Sequence, residues 1–180
     1  MTNDGAPKIE VEADDAIFLI GFMGAGKTTV GRVLAKKIGY EFLDLDEFIE
    51  AKTGKSISDI FTEFGEDEFR RLERETIKSF HNLKRTVMAL GGGAYVSEEN
   101  RATFRRMGMT VWLDCPLEIC LSRIASNTTR PLLANESEMR ALLDSRIPTY
   151  SLADKRIETD ACEPEQIADA IAGMLGLEAL

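Results

Sequence analysis

A glycine-rich segment at residues 21–28 is the stretch whose residue types and spacing most directly suggest chemistry. It reads Gly-Phe-Met-Gly-Ala-Gly-Lys-Thr and fits the pattern G-x-x-x-x-G-K-[ST] of a phosphate-binding loop. Glycines let the backbone curl so that successive N–H groups point at phosphate oxygens, and a following helix adds its positive dipole end. In such a loop Lys27 reaches the β- and γ-phosphates, and the Thr28 hydroxyl ligates Mg²⁺. The segment therefore predicts a nucleotide phosphate site.

The residues on either side of this loop have the patterns that the site needs. The apolar run 17–20 is typical of a buried parallel strand. After the loop, Val30, Leu34 and Ile38 recur at helical spacing, and Gly39 follows as a natural helix end. Strand, loop and helix thus occur in the order of a phosphate-binding unit.

Beyond this unit the pattern keeps alternating between strands and helices. Further strands are predicted at 41–45, 86–90, 110–113 and 156–158; helices are predicted at 48–53, 57–64, 66–80, 98–107, 117–125, 138–147 and 164–175. Strands separated by helical crossovers favour an α/β fold with a five-stranded parallel sheet and helices on both faces. Ligands of such sheets bind beyond the carboxyl ends of the strands. The phosphate loop, Asp44 with Asp46, and the glycines 91–93 all follow strands and are expected at that edge.

Composition limits the classes of function. The 180 residues suggest a single domain, 16–180, and the net charge of −9 argues against general binding of nucleic acid or anionic membranes. No apolar run is long enough for a membrane span. The polar, acidic segment 1–15 is expected to be a mobile tail and not a signal peptide.

Cysteine and histidine content narrows the chemistry further. Cys115, Cys120 and Cys162 give neither a disulfide framework nor a zinc pattern, so reduced thiols and a cytoplasmic location are expected. The sole histidine, His81, falls near the polar end of a predicted helix. Catalysis must therefore rely on carboxylates, lysine, arginine and backbone groups.

Several motifs together resemble those of the shikimate kinase family, small phosphate-loop kinases related to nucleoside monophosphate kinases. In chain order they are GFMGAGKTTVGR, FLDLD, GEDEFRRLE, ALGGG, TRPLL and SRIPTY. The resemblance runs from about residue 17 to about residue 175. It implies a phosphate-loop kinase fold with a substrate-binding segment at about 46–82 and a lid at about 127–137.

The resemblance also assigns nucleotide-side roles. Thr28 and, through water, Asp44 would hold Mg²⁺, and Arg130 would close over the phosphates from the lid as a catalytic group beside Lys27. Arg123 is expected to pack against the adenine. The implied nucleotide-binding set is Gly24, Ala25, Gly26, Lys27, Thr28, Thr29, Arg123 and Arg130.

On the acceptor side, the resemblance assigns Asp46 to the substrate hydroxyls, where it takes or orients the reacting proton. Arg70 and Arg146 would bind the substrate carboxylate, with Glu73 orienting Arg70. The backbone N–H groups of Gly91, Gly92 and Gly93 would approach the substrate.

Spacing alone leaves some of these residues open. Arg70 and Glu73 lie three apart on one helix face, which also fits an ordinary surface ion pair. Arg71 points about 100° away and is expected at the surface. Phe61 and Phe69 either line the substrate pocket or simply pack in the core.

The implied reaction is ATP-dependent phosphorylation of the 3-hydroxyl of shikimate by a cytoplasmic monomer, with ATP and shikimate as its partners. One alternative is a related kinase for gluconate or a nucleoside monophosphate. Another is a GTPase-type switch, but its N-K-x-D and D-x-x-G strings do not occur in the chain.

Overall fold

The computed structural model describes residues 15–81, 83–126, 136–160 and 162–177. Its strands in these ranges form one sheet in the order β2-β3-β1-β4-β5, and every neighbouring pair is parallel. They are β1 (Ala16–Ile20), β2 (Glu41–Asp44), β3 (Thr86–Ala89), β4 (Gly108–Asp114) and β5 (Lys155–Glu158). The predicted five-stranded parallel sheet is confirmed.

The helices alternate with the strands along the chain. They are α1 (Lys27–Ile38), α2 (Leu45–Thr53), α3 (Ile57–Ser79), α4 (Glu98–Met107), α5 (Leu117–Ser126), α6 (Glu136–Tyr150) and α7 (Pro164–Met174), with a 3₁₀ turn at Ala94–Val96. Within the described ranges, none of them combines the length and the apolar character that a bilayer crossing needs.

Both faces of the sheet are covered, as β1 shows most clearly. Successive strand residues point to opposite faces, and all of β1 is buried. Ile17 and Leu19 belong to a core that includes residues of α1 and α7, whereas Phe18 and Ile20 belong to a second core with residues of α2, α3 and α4. The prediction of helices on both faces is therefore confirmed.

Some helix boundaries differ from those predicted. The helices expected at 57–64 and 66–80 form one element, α3, with a break in helical backbone at Gly65, where φ is +82°. Helix α6 begins two residues before the predicted start and continues past Pro148 to Tyr150. A proline lacks the N–H that a helix needs, which is why Ile147 was the expected end. The added turn places the Tyr150 side chain in the core.

Sheet order explains how distant segments of sequence meet. Strand β3 lies between β1 and β2, and in register Ala89 is opposite both Leu19 and Asp44. The three strands therefore end at the same level. The phosphate loop, Asp44 and the glycines 91–93, here called the glycine triplet, follow these neighbouring ends.

Candidate active site

The phosphate loop connects β1 to α1, and its curve depends on glycine. Gly24 has a φ of +80°, and a Cβ atom there would lie 2.6 Å from the carbonyl oxygen of Cys120. Gly26, the N-cap of α1, is also left-handed, with a φ of +94°. Residues with a Cβ atom rarely adopt this left-handed backbone conformation, so these positions favour glycine. The N-terminus of α1 thus opens directly from the loop.

Lys27 folds back over this loop. Its Nζ donates hydrogen bonds of 2.9 Å to the carbonyl oxygens of Gly21 and Phe22. The ammonium group is therefore held beside the loop backbone against which a phosphate chain would lie. Phosphate oxygens could replace the two carbonyl acceptors.

Thr28 and Asp44 meet across the gap between α1 and β2. Thr28 Oγ1 donates a 2.7 Å hydrogen bond to Asp44 Oδ2. The described residues contain no group of three or more His, Cys, Asp or Glu side chains that could hold a metal ion by themselves. Mg²⁺ commonly uses one or two protein oxygen ligands together with water and substrate phosphates. A hydroxyl and a carboxylate at hydrogen-bond distance fit that mode of binding.

Asp44 also caps helix α2. Its Oδ1 accepts hydrogen bonds from the backbone N–H groups of Asp46, at 3.0 Å, and Glu47, at 3.4 Å. The strand predicted at 41–45 ends at Asp44, and α2 begins at Leu45 and not at the predicted residue 48, so Asp46 lies in the first turn of a helix. An N-cap aspartate followed three residues later by glutamate, here Asp44 and Glu47, is typical of a helix start, so this pattern could have predicted the start of α2.

The glycine triplet brings the predicted acceptor residues together. A Cβ atom on the first glycine would lie 2.6 Å from Asp46 Oδ1, and one on the second would lie 3.0 Å from Arg146 Nη1. On the third glycine it would lie 2.8 Å from Arg70 Cζ. Side chains from α2, α6 and α3 therefore converge on 91–93, and only residues without a Cβ leave room for them.

Two glutamates hold the guanidinium of Arg70. Its Nη1 is 3.0 and 3.2 Å from the carboxylate oxygens of Glu73, and Nε and Nη2 are 3.2 and 3.1 Å from Glu66. Only 2% of the Glu73 side chain is exposed, so this is not an ordinary surface ion pair. Burial raises the pKa of Glu73 above its usual value, although Arg70 opposes the shift. The Glu66 contact was not predicted, but its i,i+4 spacing from Arg70 could have revealed it.

Arg71 is the natural comparison on the same helix. It pairs with Glu68 and Glu75, each at 2.6 Å, in exposed surroundings. The prediction that it lies at the surface is confirmed.

Arg146 supplies a second guanidinium next to the triplet. Its Nη1 atom is buried, and no atom of the described residues accepts a hydrogen bond from it. Its Cζ lies 5.8 Å from the ring centroid of Phe22 in the phosphate loop. A cavity of about 400 Å³ has Arg70, Arg146 and Gly93 among its lining residues. Two guanidinium groups beside a cavity form a suitable receptor for a carboxylate.

Comparison with known proteins agrees with this geometry. The family model described as "Shikimate kinase" matches residues 23–175. The shikimate kinase of Persephonella marina is 43% identical over 88% of this chain and 98% of its own length. The chain belongs to the shikimate kinase family.

Further shikimate kinases support this membership. The enzyme of a Nostoc species is 45% identical over 86% of this chain and 87% of its own. A structure described as shikimate kinase from Acinetobacter baumannii in complex with shikimate is 41% identical, with a TM-score of 0.84, and covers 89% of this chain and 92% of that one. The predicted family, fold and kinase activity are confirmed.

Arg123 lies beside the phosphate loop, as expected of a nucleotide-side residue. Its Nη1 donates to the carbonyl oxygen of Gly24 at 3.3 Å and lies 3.7 Å from Cys115 Sγ. Contact of Arg123 with adenine stays a prediction.

All three cysteines are free thiols, and Cys115 and Cys120 are buried. A hydrogen bond with the Cys120 thiol lowers the pKa of Cys115.

Several other predicted residues have their places in the fold. Ala25 is buried in the loop, and Thr29 is exposed in the first turn of α1. Phe69 is a core residue, whereas 37% of Phe61 is exposed, and their ring centroids are 4.8 Å apart. His81 is exposed, with its Nδ1 2.7 Å from the carbonyl oxygen of Ser79.

Three predictions fall wholly or partly outside the described residues. Arg130 lies there, as do residues 127–135 of the predicted lid and residues 1–14 of the predicted tail.

Proposed function

We propose that this family member transfers the γ-phosphoryl group of ATP to the 3-hydroxyl of shikimate, giving shikimate 3-phosphate and ADP, on the route to aromatic amino acids. The observation that carries the proposal is the convergence of Asp46, Arg70 and Arg146 on the glycine triplet. One carboxylate and two guanidinium groups complement an acceptor that has a reacting hydroxyl and a carboxylate.

Arg70 and Arg146 bind the acceptor carboxylate in this proposal. A guanidinium group presents a planar set of donors that matches two carboxylate oxygens. Glu66 and Glu73 restrict the orientation of Arg70, while the buried Nη1 of Arg146 offers a donor to the incoming carboxylate. Because the carboxylate is remote from the reacting hydroxyl, this contact fixes where the hydroxyl lies.

Asp46 orients the hydroxyl toward the phosphoryl group and receives its proton. The absence of a Cβ on the first glycine of the triplet leaves room for this side chain, because a Cβ there would lie 2.6 Å from Asp46 Oδ1. Phosphoryl transfer requires mainly in-line positioning and charge stabilisation, and a placed carboxylate contributes to the first.

The phosphate loop binds ATP through its backbone N–H groups and Lys27, with Gly24, Ala25, Gly26, Thr28, Thr29 and Arg123 around it. On binding, Lys27 exchanges its two carbonyl acceptors for phosphate oxygens and stabilises charge there. Thr28 and, through water, Asp44 would hold Mg²⁺, which when bound neutralises charge on the phosphates.

Other parts of the proposal concern the surroundings of the site. Arg130 approaches the phosphates from a lid at about 127–137, and closure excludes water that would otherwise hydrolyse ATP. We also propose that the protein is a monomer. We propose a cytoplasmic location as well, which the three free thiols support.

The test is ADP release with ATP, Mg²⁺ and a panel of acceptors. We expect turnover with shikimate and none with AMP, and release should require all three components. Turnover with gluconate but not with shikimate would contradict the proposal and favour the sugar-acid alternative.

A further inference from the structure

The hydroxyl of Tyr150 is bonded to the middle of the glycine triplet. Tyr150 lies four residues after Arg146 on α6, so both side chains project from one face of the helix. Its Oη donates a 2.6 Å hydrogen bond to the carbonyl oxygen of Gly92. Arg146 Nη1 is the atom nearest to a Cβ position on that same glycine, at 3.0 Å. One helix face therefore contacts Gly92 in two ways.

We propose that Tyr150 is a positioning residue for the acceptor carboxylate, holding Gly92 and Arg146 in fixed relation to each other. This inference rests on the proposed function, because it assigns a role in binding the carboxylate of the acceptor. Tyr150 does not touch the substrate in this proposal; it acts through the backbone of Gly92 and the side chain of Arg146.

The surroundings of Tyr150 suit a rigid anchor. The side chain is fully buried, and its ring lies 6.0 Å, centroid to centroid, from Trp112 on β4. Burial raises the pKa of the phenol, although Arg146 opposes the shift. The hydroxyl therefore remains protonated at neutral pH and continues to donate to Gly92. The Tyr150 ring thus packs against the sheet, and its hydroxyl holds the backbone of Gly92.

Gly92 also lies against the phosphate loop. A Cβ atom at this glycine would be 3.7 Å from the carbonyl oxygen of Gly21 and 3.8 Å from the backbone nitrogen of Met23. Without the Tyr150 bond, Gly92 can move away from Arg146 while the loop keeps its own hydrogen bonds. The acceptor side should therefore weaken more than the nucleotide side.

The experiment compares Tyr150→Phe with the matched variant Tyr95→Phe. Tyr95 is equally buried, and its Oη donates to a different backbone carbonyl, that of Leu152, at 3.2 Å. Both variants lose one buried hydroxyl, so similar falls in melting temperature are expected. Tyr150→Phe should raise the KM for shikimate by about tenfold and leave the KM for ATP within about twofold, whereas Tyr95→Phe should change neither.

A second measurement separates positioning from general destabilisation. The wild type should prefer shikimate over its uncharged amide, and Tyr150→Phe should reduce that preference. Combining it with Arg146→Lys should cost less than the sum of the two single effects, because both act on one contact. An unchanged preference, or the same KM change in Tyr95→Phe, overturns the inference.

These outcomes also separate the inference from the proposed function. If the wild type phosphorylates shikimate but Tyr150→Phe behaves like the wild type, only the inference fails. If the wild type uses another carboxylic acid, such as gluconate, the proposed function fails and the same kinetic comparison is made with that acid. Turnover only with acceptors that lack a carboxylate overturns both.

Discussion

Thr28 Oγ1 donates a 2.7 Å hydrogen bond to Asp44 Oδ2, and this bond joins the first turn of α1 to the end of β2. The other carboxylate oxygen of Asp44 accepts from the backbone N–H of Asp46. One side chain thus connects the proposed metal position with the residue proposed to orient the acceptor. Asp44 has two separable properties, a charge for the metal and an acceptor for the helix.

Asp44→Asn should separate these properties. Asparagine is as good an N-cap as aspartate, so the free energy of unfolding should change by less than about 0.5 kcal/mol. The lost charge should raise the Mg²⁺ concentration for half-maximal activity by about tenfold or more, because Mg²⁺ prefers charged oxygen ligands. Denaturant unfolding and a Mg²⁺ titration of activity measure the two effects.

Ser56→Ala is the control for helix capping. Ser56 Oγ accepts from the backbone N–H of Asp59 at the start of α3. The variant should lose about 1 kcal/mol of stability with an unaltered Mg²⁺ requirement. An unaltered requirement in Asp44→Asn as well would remove Asp44 from the metal site.

Lys27→Ala should lower kcat by about 10²-fold or more, since it removes a charge that faces the transferring group. Lys27 is half-buried at the phosphate loop and donates to the carbonyl oxygens of Gly21 and Phe22, so we expect only a small change in melting temperature. Lys36→Ala, at an exposed position of the same helix, should retain normal kcat. Near-normal turnover of Lys27→Ala in a steady-state assay would contradict its proposed role.

Much of this site could be predicted because its parts follow strand ends. The phosphate loop, Asp44 and the glycine triplet each have a local pattern, and the rule for parallel sheets places them at one edge. The predicted boundary between β2 and α2 was wrong because the strand pattern was extended past the helix N-cap at Asp44.

What the sequence could not supply is the pairing of each glycine with its neighbour. Arg146 lies more than fifty residues from Gly92, and no spacing rule connects them. The Tyr150 hydrogen bond was equally hidden, because Pro148 suggested that the helix ended before residue 150. Such contacts arise from packing of α6 against the segment that follows β3, which depends on the complete fold.

Glu73→Gln should show a pH-dependent effect on stability. Because burial raises the folded-state pKa of Glu73 above the ordinary 4.5, the folded protein binds the proton more tightly than the unfolded chain. The charged carboxylate therefore disfavours folding at neutral pH. This cost disappears as the pH falls through the raised folded-state value toward 4.5. The wild type should gain stability relative to Glu73→Gln over that window.

Melting temperatures measured from neutral pH to below 4.5 give the comparison. Glu75→Gln is the matched control, because Glu75 pairs with Arg71 at an exposed position. At neutral pH, Glu73→Gln should also raise the KM for shikimate through its effect on Arg70. Parallel pH curves for the wild type and Glu73→Gln would show that Glu73 titrates like an exposed glutamate.

Arg146→Lys tests the proposed carboxylate receptor most directly. Lysine keeps the charge but lacks the planar set of donors. The fall in kcat/KM for shikimate should correspond to a loss of about 1–3 kcal/mol of transition-state stabilisation, and it should come mainly from a higher KM. The change should appear in KM because the contact is shared by the substrate and the transition state, although misplacement of the hydroxyl can lower kcat as well. The uncharged amide of shikimate should be a poor substrate for the wild type.

Arg140→Lys provides the comparison on the same helix, since Arg140 is exposed and pairs with Glu118 and Glu136. It should have wild-type kinetics with both the acid and the amide. Replacing shikimate by its amide should lower kcat/KM less in Arg146→Lys than in the wild type, because the variant has already lost part of the same interaction. If the wild type phosphorylates the amide as readily as the acid, Arg146 does not bind a carboxylate. The convergence of α2, α3 and α6 on the glycine triplet would then need a different substrate group to explain it.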